Sequence, residues 1–401
     1  MSSSIRQGVL GMSSRPRRIS GIAVLAITLA LVPGFGQAST PTTFTRVSTI
    51  AFTSTRDNLA LNPIFGAEIY LITPVPPPPE NPDETWALTN PRRLTNDAFG
   101  DAFANLSPDG KKVVFDTNRL TAGSVCKGIT YNNISDLFLM NTDGTEQTLL
   151  TRGSSASWSP DSKTIAFHAS ASYYESGGVE SGCPIRRGPG SPGSATSDSD
   201  IFVVNADEVA NAEGVLAKTP LATNITNSPD MIEDDPDWSP DGQKFVFTSH
   251  PVTDDPNFSD QAEIFVMNPD GTDLQQLTLN FEEERGPAWS PDGTQIVFIC
   301  RIGAQTDLAA DFEVCVMNAD GTGLMQLTDN AVFDGTPTFS PDGEQILFHR
   351  TVGAPGGGNQ QLFIMNADGT QQTQLTFGTR TTPDGLNNIA NWGELRVKVD
   401  A

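Results

Sequence analysis

A chain of 401 residues with 48 acidic side chains against 24 basic ones, a formal net charge of −24, is repelled by nucleic acid and by anionic membrane surfaces, and neither is expected as a partner. The 37 % hydrophobic content suffices for a large core, while 36 Gly and 29 Pro describe short elements joined by many turns. With 22 Phe and only 4 Tyr, the aromatics are expected to serve that core.

The chain opens with Arg15, Arg17 and Arg18, an apolar run from Ile19 to Val32, and a small-residue end, Gly36-Gln37-Ala38. This is the pattern of a secretory signal, residues 1–38, cleaved after Ala38. The run of about 14 apolar residues is short for a bilayer span of about 20. A periplasmic or secreted protein, with no stable membrane insertion after cleavage, is the expectation, and residues 39–401 are read as one domain.

From there the sequence repeats. Leu106, Trp158, Trp238, Trp289, Phe339 and Trp392 recur at intervals of about 50 residues, with one step of about 80 between Trp158 and Trp238. After the first five comes a turn: Ser-Pro-Asp-Gly at Pro108-Asp109-Gly110, Pro240-Asp241-Gly242, Pro291-Asp292-Gly293 and Pro341-Asp342-Gly343, and the variant Pro160-Asp161 followed by Ser162. Pro presets its φ, Asp tolerates the next position and Gly accepts positive φ, so the motif is a hairpin turn. Ser162 should carry positive φ under mild strain or change the turn.

A second strand follows each turn (KKVVFDT, KTIAFHA, QKFVFTS, TQIVFIC, EQILFHR), then a variable loop and a third strand (DLFLMN, DIFVVN, EIFVMN, EVCVMN, QLFIMN). A second Asp-Gly turn leads to a short fourth strand. In the third unit Glu208 replaces that turn's Gly, and an insertion, Val209 to Asn224, accounts for part of the long spacing. Four strands per unit of about 50 residues, without helical periodicity, is the signature of a propeller blade.

The fold class expected is all-β, a six-bladed β-propeller with blade cores near 48–95, 103–151, 156–226, 235–278, 287–328 and 337–376. Blade one lacks an opening strand with its turn, whereas residues 388–393, around Trp392, form an orphan opener. The economical reading is a ring closed by pairing of N- and C-terminal strands, Trp392 lying beside Ile50–Phe52. In the alternative, Thr42–Arg46 opens blade one and Trp392 starts an abortive seventh blade. Residues 394–399 (ELRVKV) either extend the closing strand or lie outside it.

Export makes four Cys interpretable. Cys300 and Cys315, on successive strands, are candidates for a disulfide, and Cys126 with Cys183, in the loops of successive blades, form the default second pair. Sequence alone does not choose the connectivity.

The units PAWSPDG…IVF…EVCVMNADGTGLMQLT resemble the TolB-type propeller repeat of exported bacterial proteins, also called the WD40-like or PD40 repeat, over about Ser48 to Trp392. The resemblance implies a six-bladed propeller whose repeated positions are turn and core residues, none of them catalytic.

Candidate binding residues lie where the scaffold varies. His168, His250 and His349 share strand parity near the ends of second strands, on the face of the variable loops; the alternatives are isolated polar histidines or ligands of a shared metal. Arg186 and Arg187 are a basic spot in the Gly/Ser/Pro-rich insert 173–199. The acidic stretches Asp230–Asp237, Asp254-Asp255, Asp260 and Glu282–Glu284 read as a solvated rim or as calcium ligands. No other cofactor is expected, and Pro74–Pro82 reads as a polyproline connection. A monomeric binding module for an envelope or extracellular protein, peptide or glycan is the leading function; a propeller hydrolase or lyase is the alternative.

Overall fold

The computed structural model describes residues 43–55, 67–76, 86–97, 99–119, 124–126, 129–131, 136–170, 199–207, 222–252, 262–279, 283–301, 312–353, 359–377 and 387–399. The proposed signal sequence lies outside them. Among the described residues no helix is long and apolar enough to cross a membrane.

Six antiparallel four-stranded sheets account for nearly all of the described backbone, and each is one repeat of the sequence. Blade four shows the plan. Its innermost strand, Met231–Trp238, pairs with Phe245–Pro251, that strand with Glu263–Met267, and the last with the short outer strand Gln275–Gln276. Blades two, three, five and six repeat this order, their innermost strands being Asp101–Leu106, Ser154–Trp158, Glu284–Trp289 and Asp334–Phe339.

Second and third strands read as unbroken apolar runs because both faces of each blade are covered. Alternate residues of one strand enter different cores. Ile50 and Phe52 pack with Leu347, Leu362 and Ile364 of blade six, whereas Ala51 packs with Leu106, Val113 and Phe115 of blade two. Six such clusters lie between successive blades, and the one joining blades one and six closes the ring.

The closing strand is longer than residues 388–393. Asn387–Val399 pairs with Thr43–Ser54, with Trp392 opposite Ile50 and Val399 opposite Thr43. Residues 394–399 therefore extend the closing strand, and Thr43–Arg46 is the leading part of the strand that contains Ile50–Phe52. Trp392 donates from its indole to Ser48 Oγ at 2.6 Å. Where other blades turn back at Ser-Pro-Asp-Gly, blade one continues as a two-stranded ribbon, Thr43–Thr49 against Gly393–Val399.

The turns hold together locally as their composition requires. In blade two Ser107 Oγ donates to Asp109 Oδ1 at 2.8 Å and accepts the Lys112 amide at 2.9 Å, while the Gly110 amide donates to Ser107 O. The same bonds recur at Ser239-Asp241 and Ser290-Asp292, and the serine hydroxyls hold Asp241 and Asp292 below the usual carboxylate range. Ser162 keeps the glycine conformation, with φ 61°, and its hydroxyl accepts the Asp109 amide of blade two at 3.0 Å.

That contact belongs to an interlock that the sequence does not announce. A Cβ placed on Gly242, Gly293 or Gly343 would face the ring of Pro160, Pro240 or Pro291, the proline of the preceding blade's turn. The second turns lock harder: a Cβ on Gly144, Gly271, Gly321 or Gly369 would approach within 2.6–2.9 Å of the carbonyl oxygen of Leu94, Ile225, Leu277 or Leu327 in the preceding blade.

Two local expectations change. Pro74–Val75 pairs with Ala87–Leu88 as a short hairpin, so the start of the proline-rich stretch is β-paired; residues 77–85 lie outside the described set. The loop between the second and third strands of blade two contains its own hairpin, Ser124–Cys126 with Ile129–Tyr131.

Cys300 and Cys315 are disulfide-bonded, with 5.9 Å between their Cα atoms, and both are buried. They sit diagonally, because Phe298 faces Cys315 and Cys300 faces Glu313 in the ladder. The Cys126–Cys183 pairing lies outside the described side chains.

Candidate functional site

The inner strands converge on the propeller axis, and their final residues open there into a cavity of about 550 Å³ at the end of the ring that carries the Ser-Pro-Asp-Gly turns. Every blade contributes. Its wall carries Trp158, Trp238, Trp289, Phe339 and Trp392, with Leu106 in blade two, and above them Pro108, Pro160, Pro240, Pro291 and Pro341 of the turns. In blades two to six the residue that ends the inner strand before its hairpin turn thus also lines the cavity, where Trp392 joins it from within the closing strand.

Two of the collar's indoles are tied down: Trp158 donates to Asn105 O at 3.1 Å, and Trp392 to Ser48. The indole nitrogens of Trp238 and Trp289 are buried with no hydrogen-bond partner among the described residues. A buried N–H left unpaired costs about 1–3 kcal/mol, and these two rings have no hydrogen bond to lose on reorienting.

Sequence reasoning missed the polar layer beneath the collar. Asn105, Ser157, Asp237, Thr338 and Asn391 each precede an aromatic or Leu marker and line the cavity. Asp237 links three blades, accepting from Ser157 Oγ at 2.8 Å and from the Trp289 amide at 2.9 Å. Burial pushes its carboxyl above the usual range, opposed by those hydrogen bonds. At the rim Arg46 and Glu394, from the ribbon of blade one, form an ion pair at 2.9 Å.

Deeper along the axis the inner strands of blades two to six bulge at a residue with positive φ, three places before the marker: Phe103, Ser155, Asp235, Gly286 and Thr336; the blade-one ladder shifts register at the same place, passing over Ile389. Only Gly286 advertises this by residue type. The Asp235 amide donates to His168 Nδ1 at 3.3 Å. Asp116, hydrogen-bonded by Ser154 Oγ, is raised to about 8 by burial, which outweighs that hydrogen bond.

At the opposite end of the strands lies a set of buried acids. Glu68, Asp136 and Glu263 open third strands, Asp200 and Glu313 stand second in theirs, and Asp101, Glu233, Glu284 and Asp334 lie in the inner strands. Arginine partners several of them: Arg93 with Glu68 at 2.7 Å, Arg119 with Asp101 at 3.1 Å and Arg350 with Asp334 at 2.6 Å. The boundary of blades three and four differs. There Asp200 and Glu233 share the Thr226 hydroxyl at 3.3 and 3.2 Å, and no cation pairs with either among the described residues. Burial, reinforced by Asp200, raises Glu233 to about 8.

The stretch Asp230–Asp237 is accordingly no solvated rim. Most of it is the inner strand of blade four, and Glu233 faces the interior. Glu283 and Glu284 are likewise buried, with Arg285 and Arg301 paired to Glu283. Asp254, Asp255, Asp260 and Glu282 lie outside the described residues, as do Arg186, Arg187 and the insert around them.

The three histidines occupy separate settings. His168 meets the blade-four bulge, 3.7 Å from Asp234. His349 is buried, stacks on Phe333 with ring centroids 5.4 Å apart, contacts Thr336 Oγ1 at 2.8 Å, and is pushed down to about 4 by burial. His250 is half-buried and also lowered by burial. Among the described residues no group of three or more His, Cys, Asp or Glu is arranged to hold a metal ion.

No family profile matches the sequence, and no curated protein matches it. Solved structures do. TolB from Acinetobacter baumannii superposes with a TM-score of 0.55 at 17 % identity, covering 86 % of this chain and 66 % of that one. The fold is that of a TolB-like six-bladed propeller. A putative TolB from Agrobacterium tumefaciens gives 0.50 at 18 % identity, over 88 % of this chain and all of that one. Hydrazine synthase from Kuenenia stuttgartiensis gives 0.55 at 16 % identity over 88 % of this chain, which spans only 47 % of that enzyme's chain. At such identities the likeness of the TolB-like propeller to these proteins is one of fold.

Proposed function

We propose that this TolB-like propeller is an exported binding scaffold whose axial cavity at the turn end receives an apolar or aromatic segment of an envelope or extracellular protein or peptide. The observation that carries the reading is the collar of four Trp and one Phe around a cavity of about 550 Å³, two of the collar's indoles holding no hydrogen bond among the described residues. Aromatic side chains in a concave, partly desolvated site supply large contact area at small entropic cost and dominate recognition where they occur. The signal-like residues 1–38 and the buried Cys300–Cys315 disulfide support an oxidising compartment.

The test is peptide selection against the mature chain, followed by affinity measurement on Trp289→Ala. Removing a central Trp anchor costs at least about 2 kcal/mol of binding, roughly 30-fold in Kd. Selected peptides that bind Trp289→Ala as tightly as the parent, with both proteins folded by circular dichroism, would remove the cavity from the account.

A further inference from the structure

The polar layer beneath the collar has one departure from its repeat. The position before the marker is Asn105, Ser157, Asp237, Ala288, Thr338 or Asn391, so five blades complete the layer without a charge and only blade four places a carboxylate there. Three charged side chains line the cavity in all. Arg46 and Glu394 neutralise each other at the rim, 2.9 Å apart, and with Asp237 no cation pairs among the described residues. Burial raises its carboxyl, and the groups that oppose the rise are the Trp289 amide, the Ser157 hydroxyl and the Trp238 amide, none of them a cation.

Exposure within the collar is uneven at the same place. Trp158, Phe339 and Trp392 are buried, whereas Trp238, Trp289 and Asp237 keep accessible surface. Trp238 follows Asp237 in the chain and Trp289 donates its amide to it, so two Trp of adjoining blades accompany the carboxylate. Each oxygen of Asp237 accepts one hydrogen bond, from Ser157 or from the Trp289 amide, and has a second lone pair to offer. An indole face attracts a cation, as the carboxylate does, and both repel an anion. A chain with a net charge of −24 also draws cations toward its openings.

We propose, on the reading that the axial cavity is the binding site, that the segment it receives carries a cationic side chain, lysine or arginine, whose charged head lies against Asp237 between Trp238 and Trp289. The rest of the aromatic wall and the proline rings take the apolar neighbours of that side chain. A cavity of about 550 Å³ has the size for such a short segment. The collar supplies contact area, and the single carboxylate selects which segment fits.

The probes are capped tripeptides, acetyl-Phe-Xaa-Phe-amide with lysine, arginine, norleucine or Nε-acetyl-lysine at the centre, titrated calorimetrically into the mature chain. Lysine or arginine is expected to bind at least tenfold more tightly than the two neutral peptides, and the tighter of the pair identifies the head group. Asp237→Asn, folded by circular dichroism, should abolish that advantage, while Asp270→Asn, which removes one charge from an exposed turn of the same blade, should keep it. Trp238→Leu keeps an apolar wall without the indole face and should reduce the advantage, which decides the matter if Asp237→Asn fails to fold. Equal binding of charged and neutral peptides overturns the proposal; if Trp289→Ala then weakens all four, the cavity reading stands without it. A cationic advantage that persists in folded Asp237→Asn overturns it too, as does no binding of any peptide. Cationic peptides that bind Trp289→Ala undiminished would remove the cavity reading and this proposal together.

Discussion

Glu233 gives a quantitative handle on an acid pair at a blade boundary with which no cation pairs among the described residues. Its carboxyl is raised from 4.5 to about 8 by burial and by Asp200. Between those pH values the unfolded chain has released a proton that the native state still holds, so stability falls as pH rises, by about 1.4 kcal/mol per unit. The loss at this site between pH 5 and pH 8 is on the order of 4 kcal/mol. Glu233→Gln keeps the shape and cannot ionise, so its urea midpoint should vary less with pH than the parent's, the two curves diverging toward pH 8. Asp116, raised to about 8 with the same sign, contributes to the slope that stays in the variant, and Asp116→Asn should reduce it further. Parallel stability–pH curves for parent and Glu233→Gln from pH 5 to pH 8 would refute the reasoning.

The turn interlock separates two glycines of similar φ. Gly242→Ala, with φ 70° and its nearest neighbour at 3.6 Å, should cost about 1 kcal/mol, as the tolerated Ser162 suggests, whereas Gly321→Ala, with φ 83° and the Leu277 carbonyl at 2.8 Å, should cost about 2–4 kcal/mol. Thermal unfolding measures both, and equal losses would show that the carbonyl contact relaxes freely. Replacing Cys300 and Cys315 together by Ala opens a loop with a sequence separation of 15 and should cost about 3 kcal/mol. An unchanged denaturation midpoint would mean that the bond constrains nothing the sheet does not already fix.

Features set by short-range chemistry could be read before the structure was seen. The Ser-Pro-Asp-Gly hairpins follow from turn preferences, whereas the Cys300–Cys315 bond and the pairing of Trp392 beside Ile50 were each the leading one of several alternatives that neighbouring strands and a missing opener left open. What escaped depends on neighbouring blades. The acid that opens DLFLMN, DIFVVN and EIFVMN was visible as a letter, but its burial arises only when an adjoining blade covers it. Asp230–Asp237 looked like a solvated rim because a run of acids ordinarily is one; here alternate residues take different faces of an inner strand, and Glu233 is enclosed. The bulges at Phe103, Ser155, Asp235 and Thr336 have no compositional signal, since tertiary packing holds these residues at positive φ. The collar was legible residue by residue, and its role in the axial cavity was not, because six identical positions acquire a common wall only when the ring shuts.

The locking of each turn glycine against the preceding blade makes the two ends of the propeller unequal in what they can change. In a locked turn a single inserted residue disturbs two blades at once, so the first turns vary by substitution, as at Ser162, which gains a hydrogen bond to its neighbour, whereas blade three, where Glu208 stands in place of the second-turn Gly, carries its insertion at that position. The connections between second and third strands leave at the other end, away from this gearing, and lengthening one of them shifts no adjacent turn. Blade one interrupts the gearing too, with its open ribbon, so that new backbone can be added there as well without re-cutting a neighbour.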